Sequence, residues 1–284
     1  MLPLELYQGI ESAWCPGCGN FGILKAFKQA LAELEIRPEN LLVVSGIGQS
    51  SKFPHYLQCN TFNGIHGRTL PVATGAQLAN HELIIVANAG DGDCYGEGGN
   101  HLLGALRRNP NLTLVVHNNQ VYALTKGQAS PTTDQGTKTL LQPEGVAYPP
   151  LRALALAVSQ EGSWVGRSFA GLVEHLTGLY KQALTHRGFA LLEVLQPCVT
   201  FNRVNIYQWY QARVYEVEQE PDYDPENELW AYQKAKEWGE RIPIGVIFKR
   251  PRPRLDEAHA VLRTGPLVRQ QPERPIRELL AEFF

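Results

Sequence analysis

Two sets of side chains in this sequence are spaced for chemistry: an aspartate and an asparagine that end neighbouring apolar runs, and a pair of cysteines at chelating distance. Asp91 lies in the run Gly90-Asp91-Gly92-Asp93. Its glycines let the backbone turn tightly and approach a ligand closely, and Asp91 offers a hard carboxylate oxygen. Asn119 offers a side-chain carbonyl, and the backbone carbonyl of Val121 supplies a third oxygen. Octahedral Mg²⁺ suits such a sparse set, because its other positions go to phosphate oxygens and water. The helix that opens at Gly98-Gly99-Asn100 is expected to turn free N–H groups toward the same phosphate. The unit reads as a Mg²⁺-diphosphate site, against the plainer alternative of a metal-free Asp-Gly turn in an ordinary βαβ unit. Neither G-x-G-x-x-G nor G-x-x-x-x-G-K-[ST] occurs, which argues against dinucleotide and P-loop sites.

The cysteines are Cys15 and Cys18, in a turn stiffened by Pro16 and loosened by Gly17. Two thiolates at this spacing point the same way and can share one metal centre. Three readings stay open: a redox pair, a zinc corner, and half of an iron–sulfur site. A redox pair of the thioredoxin kind should follow a strand, and nothing upstream reads as one. Distant partners are limited to Cys59, Cys94 and Cys198. Cys94, beside the aspartate turn, reads as a small buried residue.

The elements that must carry these residues follow from periodicity. Apolar runs at 41–45, 83–87, 112–116 and 190–195 read as strands, and the stripes at 21–34, 98–108, 70–80, 151–158, 168–186 and 228–241 as helices. Residues 83–119 then form one βαβ unit with its polar tips at the carboxyl ends of two strands, where open parallel sheets place ligands. Residues 1–12 show no period and read as an arm. Residues 140–150 read as a loop over the site. Beyond residue 215 proline and charge increase, so 1–215 is expected as one α/β domain and 216–284 as an extension packing on the core or a partner.

Composition sets the outer bounds. With 284 residues, 44% of them apolar, the chain can bury a substantial core. A net charge of −2 and a pI near 6.5 give no basic footprint for nucleic acid. No apolar run approaches a membrane span, and the first residues lack the pattern of an export signal, so the expectation is a cytoplasmic protein with reduced thiols.

Gly90-Asp91-Gly92, then residues 93–117, then Asn118-Asn119 resembles the GDG…NN signature of thiamine diphosphate enzymes. The resemblance narrows with further blocks in order: WCPGCGN at 14–20, SGIG-x-SSKFP at 45–54, IHGR at 65–68, LPVATG at 70–75, GGNH at 98–101, NNQVYALTKGQ at 118–128, SPTT at 130–133 and QPC at 196–198. Together they resemble the β subunits of 2-oxoacid:ferredoxin oxidoreductases, most of all the 2-oxoglutarate type. The resemblance implies a mostly parallel sheet with helices on both faces, and thiamine diphosphate held by Mg²⁺ on Asp91, Asn119 and Val121. It implies a [4Fe–4S] cluster on four cysteines, of which Cys15, Cys18 and Cys198 match. The position after Gly46-Ile47-Gly48, a cysteine in the family, is Gln49 here. Cys59 is the candidate fourth ligand if residues 53–60 fold back; a non-cysteine ligand, a three-iron cluster or no cluster remain open.

The same resemblance brings Gly46, Ile47, Gly48, Gly92 and Asp93 to the cofactor, and His66 and Arg68 to its diphosphate or to the substrate carboxylate. Leu124 and Thr125 are expected to overhang it, because their loop leaves the strand end of Asn119. Lys126 and Lys52 are candidates to pair with substrate carboxylates, and two cations would suit 2-oxoglutarate better than pyruvate. The implied reaction is CoA-dependent oxidative decarboxylation of a 2-oxoacid to an acyl-CoA and CO₂, with electrons passed to ferredoxin, or its reverse. The implied partner is an α or fused γα subunit in an (αβ)₂ assembly that supplies the glutamate activating the cofactor. The competing readings are a pyruvate-specific subunit, a thiamine enzyme without redox chemistry and a zinc-stapled, catalytically silent subunit.

Overall fold

The computed structural model describes residues 1–271 and 274–283. Its centre is an eight-stranded sheet in the order β2-β1-β3-β4-β8-β7-β10-β9. The strands are β1 (Leu41–Ser45), β2 (Asn60–Asn63), β3 (Ile84–Gly90), β4 (Leu112–Asn118), β7 (Trp164–Phe169), β8 (Phe189–Leu195), β9 (Val214–Glu216) and β10 (Ile242–Lys249), while β5 (Val121–Tyr122) and β6 (Gln128–Ala129) form a separate hairpin. From β2 through β7 every pairing is parallel, and β10 runs antiparallel to β7.

Strands buried on both faces read as continuous apolar runs, as a parallel sheet covered on each side requires. Alternation still decides which cluster each side chain joins. Leu112, Leu114 and Val116 of β4 face a core built with helices α2 (Thr69–Ala79), α3 (Gly99–Arg108), α4 (Ala153–Ser159) and α7 (Glu228–Lys236). Val115, with Leu192 and Val194 of β8, faces the other core, covered by α1 (Asn20–Glu33) and α5 (Val173–Thr185). Chain direction away from β1 reverses between β2 and β3, so the loops after β1 and β3 open onto one crevice at the strands' carboxyl ends.

Several expectations shift. The helix expected at 168–186 begins only at Val173, because Trp164–Phe169 is a buried strand whose Arg167 is neutralised by Glu193 of β8 at 3.0 Å. A polar pair across two strands is not visible in periodicity along one. The helix expected at 228–241 ends at Lys236. The N-terminal arm is tied down: Tyr7 is fully buried and its hydroxyl donates to the Ile36 carbonyl at 2.7 Å.

The division at residue 215 is not seen in the structure. That boundary falls inside β9; β10 completes the sheet, and Trp230, Ala231, Ile247 and Phe248 belong to the main core. Proline and charge in this stretch mark the connections, whereas Ile242–Lys249 is an apolar strand that needs the β7 edge to pair with. An arm begins only after Lys249, where Arg252 Nη1 donates to the carbonyls of Leu106 and Glu161, and Arg269 pairs with Glu82. Among the described residues no helix is long and apolar enough to cross a membrane.

If 242–249 is core and the tail is not, truncation should separate them. Ile247→Ala, at a site with no exposure, should destabilise the chain by about 2–5 kcal/mol in urea unfolding, while Val268→Ala, 64% exposed, should stay within about 0.5 kcal/mol.

Candidate active site

The crevice holds two neighbouring cavities. The first is walled by Ile47 and Gly48 after β1, His66 before α2, Gly90 to Asp93 after β3, and Asn119 and Val121 to Thr125 after β4. Its floor is Asp91, 1% exposed, at the tip of β3. Ser130 and Thr132 direct their hydroxyls at Asp91 Oδ2, at 2.5 and 2.6 Å. Burial nevertheless pushes its carboxyl up to about 6, with these hydroxyls pulling the other way. Among the described residues no Lys, Arg or His pairs with it. A buried carboxylate lacking a counter-charge is the environment that a divalent cation would neutralise. The backbone at Gln120 is left-handed (φ +58°), and Asn119 Oδ1 accepts from the Val121 amide at 3.0 Å, which turns the chain at the end of β4 back into the same cavity. The residues present fit Mg²⁺ with a diphosphate: one carboxylate, one amide oxygen and one carbonyl. They do not form a carboxylate cage. Among the described residues no three His, Cys, Asp or Glu side chains converge on one ion.

The glycines of this cavity are required by packing. A Cβ on Gly92 would stand 2.3 Å from the Tyr122 ring, and one on Gly46 would stand 2.2 Å from Asp93 Oδ2. Gly46 therefore does not line the cavity; it lies under Asp93. Asp93 is a strut more than a ligand: it accepts from the amides of Ile47 (3.1 Å) and Gly67 (2.8 Å) and from Thr69 Oγ1 (3.0 Å), binding three loops together. His66 Nδ1 stands 2.8 Å from Asp93 Oδ1 but out of line for a hydrogen bond, so that contact is a charge interaction when the ring is protonated.

Other expected residues lie elsewhere. Gly98, Gly99 and Asn100 are outside the cavity, because the helix after β3 already starts at Gly92 with a wide π-type turn, Gly92–Glu97, and the Gly98 amide is spent on the Asp93 carbonyl at 3.0 Å. The Gly92 amide, at the start of that turn, bonds to the Asp91 carboxylate. Arg68 is exposed and contacts His101 of α3, on the outer side. Lys126 faces an adjoining groove with Lys138 and Arg203, and Lys52 sits in the turn Ser50–Tyr56 without lining the cavity. The two lysines thus do not converge on one substrate position; their separation in space could not be read from their proximity to motifs.

The second cavity shares Gln49, Asn119 and Ala123 with the first, and gathers Cys15, Cys18 and Cys198. The late cysteine arrives because Gln196-Pro197-Cys198 prolongs β8: the Gln196 amide donates to the Asn118 carbonyl (2.9 Å), and the Gly19 amide donates to the Pro197 carbonyl (3.1 Å). Burial pushes the Cys18 thiol up to about 11, and Cys198 and Cys15 lie near enough to add to it. Gln196 Nε2 donates toward Cys18 Sγ at 3.4 Å. Among the described residues these thiols do not converge as the ligands of a single ion would, which disfavours a zinc corner and leaves room for a larger centre. Cys59 is not in this set. It packs against the core on the α1 and α5 side, beside the Val43 backbone, and burial pushes its thiol up to about 12. Cys94 is buried at 4% exposure and all five thiols are free.

Three features were not legible in the sequence. Thr132 Oγ1 lies 2.9 Å from Asn118 Oδ1, and Asn118 Nδ2 donates to Glu193, the partner of Arg167. This buried chain supports Asp91 from beneath. His117, fully buried, faces Asn20 Oδ1 at 2.7 Å and Asn88 Oδ1 at 2.8 Å, and burial pushes it down to about 3. A neutral ring has one N–H; since Asn88 Nδ2 already donates to Ser50, Nε2–H goes to Asn88 and the Asn20 amide turns its NH₂ to Nδ1. The ring so links the cysteine cavity, which Asn20 lines, to β3. The SPTT run was visible, but its role as a donor pair for Asp91 depends on the β5–β6 hairpin folding it back.

Comparison with known proteins agrees with this geometry. Residues 46–194 match the family model for the thiamine pyrophosphate enzyme C-terminal TPP binding domain, and 198–264 match that for the C-terminal part of the pyruvate ferredoxin oxidoreductase β subunit. The β subunit of 2-oxoacid:ferredoxin oxidoreductase 1 of Aeropyrum pernix is 44% identical over 85% of this chain and 79% of its own length. The chain belongs to the β subunits of the 2-oxoacid:ferredoxin oxidoreductases. The 2-oxoglutarate synthase subunit KorB of Methanocaldococcus jannaschii is 38% identical over 68% of this chain and 72% of that subunit. A solved 2-oxoglutarate:ferredoxin oxidoreductase of Magnetococcus marinus, with 2-oxoglutarate, coenzyme A and succinyl-CoA bound, superposes with a TM-score of 0.90 at 33% identity, covering 99% of this chain and 96% of that one. The thiamine-diphosphate fold and the membership of a multi-subunit oxidoreductase with an α partner follow.

Two measurements test the support of this β subunit's site. Thr132→Val removes a hydroxyl from a buried carboxylate and should cost about 1–3 kcal/mol in the cofactor-free protein, with retained thiamine diphosphate falling on gel filtration. For His117 the folded ring stays neutral while the unfolded ring protonates below 6.5, so the unfolded state binds more protons and stability is lost as pH falls from 6.5 toward about 3. His117→Gln should flatten the upper part of that slope in urea titrations.

Proposed function

We propose that this chain, with its α partner, catalyses the CoA-dependent oxidative decarboxylation of 2-oxoglutarate to succinyl-CoA and CO₂, passing two electrons singly to ferredoxin, and that it can run in reverse. The observation that carries this reading is that the two cavities share a wall, Gln49, Asn119 and Ala123. A diphosphate pocket and a thiol-lined cavity in contact suit a reaction in which carbon chemistry and one-electron transfer occur side by side.

Asp91, Asn119 and Val121 would hold Mg²⁺, with the diphosphate against the turn from Gly90 to Asp93. Cys15, Cys18 and Cys198 would hold an iron–sulfur cluster. Thiamine diphosphate supplies the electron sink for decarboxylation, and the cluster accepts electrons one at a time. The chain's own residues bind and orient: Ser130 and Thr132 keep Asp91 aimed, Tyr122 and Leu124 close the pocket over it, and His66 stands at its mouth as a proton donor or acceptor. Lys126, Lys138 and Arg203 line the groove that meets the pocket at Val121, a cationic approach for anionic substrates. The glutamate that activates the cofactor comes from the α subunit, in an (αβ)₂ assembly.

The named relatives support 2-oxoglutarate as substrate. One observation favours pyruvate as a second reading: among the described residues His66 is the single basic side chain on the pocket wall, which leaves the distal carboxylate of a dicarboxylate without a partner there. Viologen reduction by the co-expressed αβ complex decides. kcat/KM should be highest with 2-oxoglutarate among 2-oxoglutarate, pyruvate and branched 2-oxoacids; preference for pyruvate overturns the assignment.

A further inference from the structure

The cavity that gathers the cysteines is lined by three thiols and, at the corner after β1, by an amide. Gln49 stands on the same wall as Cys15, Cys18 and Cys198. Its backbone is fixed there, because Trp14, the neighbour of Cys15, donates its indole N–H to the Gln49 carbonyl at 2.8 Å, and the Trp14 ring is wedged edge-on against Tyr56. The Gln49 side-chain amide has no hydrogen-bond partner among the described residues. Cys59 cannot take its place. It precedes Asn60, which pairs with Leu42 near the amino end of β1, whereas Gln49 follows the carboxyl end of that strand. At roughly 3.3 Å per residue, the length of the strand lies between them. The segment Ser50–Tyr56 is a helical turn with Ser50, Ser51 and Phe53 buried, so it holds Cys59 away instead of folding it back.

We propose that Cys15, Cys18 and Cys198 are the only thiolates on the cluster of this protein, and that Gln49 faces the fourth iron, which is left without a thiolate. This rests on the iron–sulfur reading above. A thiolate is a soft, charged donor, whereas an amide oxygen is hard and neutral and binds iron in a sulfide cluster weakly. The Gln49 corner is therefore the point where iron leaves. When a one-electron oxidant removes an electron from the [4Fe–4S]²⁺ state, Fe²⁺ dissociates past Gln49 and [3Fe–4S]⁺ stays on the three cysteines; charge and iron balance, and no cysteine bond breaks. Ferrous iron with a one-electron reductant reverses the step. The substitution makes electron delivery sensitive to oxidation at the wall that the cluster cavity shares with the diphosphate pocket.

The test uses the αβ complex purified without oxygen, analysed for iron, sulfide and EPR before and after one equivalent of ferricyanide. The wild type should release about one iron in four and develop the EPR signal of an oxidised three-iron cluster, reversed by Fe²⁺ with dithionite. Gln49→Cys should abolish both the release and the signal. Cys59→Ser should leave both unchanged. Retention of all the iron through oxidation overturns the Gln49 assignment, as does loss of iron in Cys59→Ser. A wild-type complex that keeps its thiamine diphosphate but contains no iron overturns the cluster reading itself.

Discussion

A carboxylate buried at the tip of a strand, with no basic side chain paired to it among the described residues, is the constraint to which the site is built. Asp91 costs free energy where it stands, because desolvation disfavours its charged form. Ser130 and Thr132 offset part of that cost, and they reach Asp91 only because the chain after Asn119 turns through Gln120 and returns as the β5–β6 hairpin. The glycines follow from the same crowding. Tyr122 fills the space beside Gly92 and Asp93 the space beside Gly46, so a side chain at either glycine would displace a wall of the pocket.

Beneath that carboxylate lies a second buried charge, Glu193, compensated by Arg167. Pairs of this kind contribute little net stability once desolvation is counted. What this one does is geometric: Glu193 accepts from Asn118, whose own carbonyl oxygen meets Thr132, so the two strand ends that carry Asp91 and Asn119 are held by one set of contacts. His117 does the same on the opposite face of β4, between Asn20 and Asn88. Its neutrality matters, since a charged imidazolium there would have to be accommodated away from solvent.

The thiol cavity shows how a sheet collects residues from distant parts of the chain. β8 inserts beside β4, and its continuation carries Cys198 to the turn that holds Cys15 and Cys18, fixed by the Gly19 amide on Pro197. The family membership of the chain gives this convergence its meaning, and Gln49 gives it its individuality.

The sequence by itself determined the βαβ unit around Asp91 and Asn119, the strands at 41–45 and 190–195, and the family, because these rest on local periodicity and on short motifs whose spacing is set by one turn or one strand. It also placed Cys15, Cys18 and Cys198 in one set. It did not place Lys52, Lys126 or Arg68, and the fold-back on which Cys59 as fourth ligand depended does not occur, because nearness to a motif along the chain says nothing about which side of a strand or which groove a side chain enters. The strand at Trp164–Phe169 and the inclusion of Ile242–Lys249 in the sheet were also decided only by tertiary structure. Each depends on a partner strand far away in sequence: Glu193 to neutralise Arg167, and the edge of β7 to pair with β10.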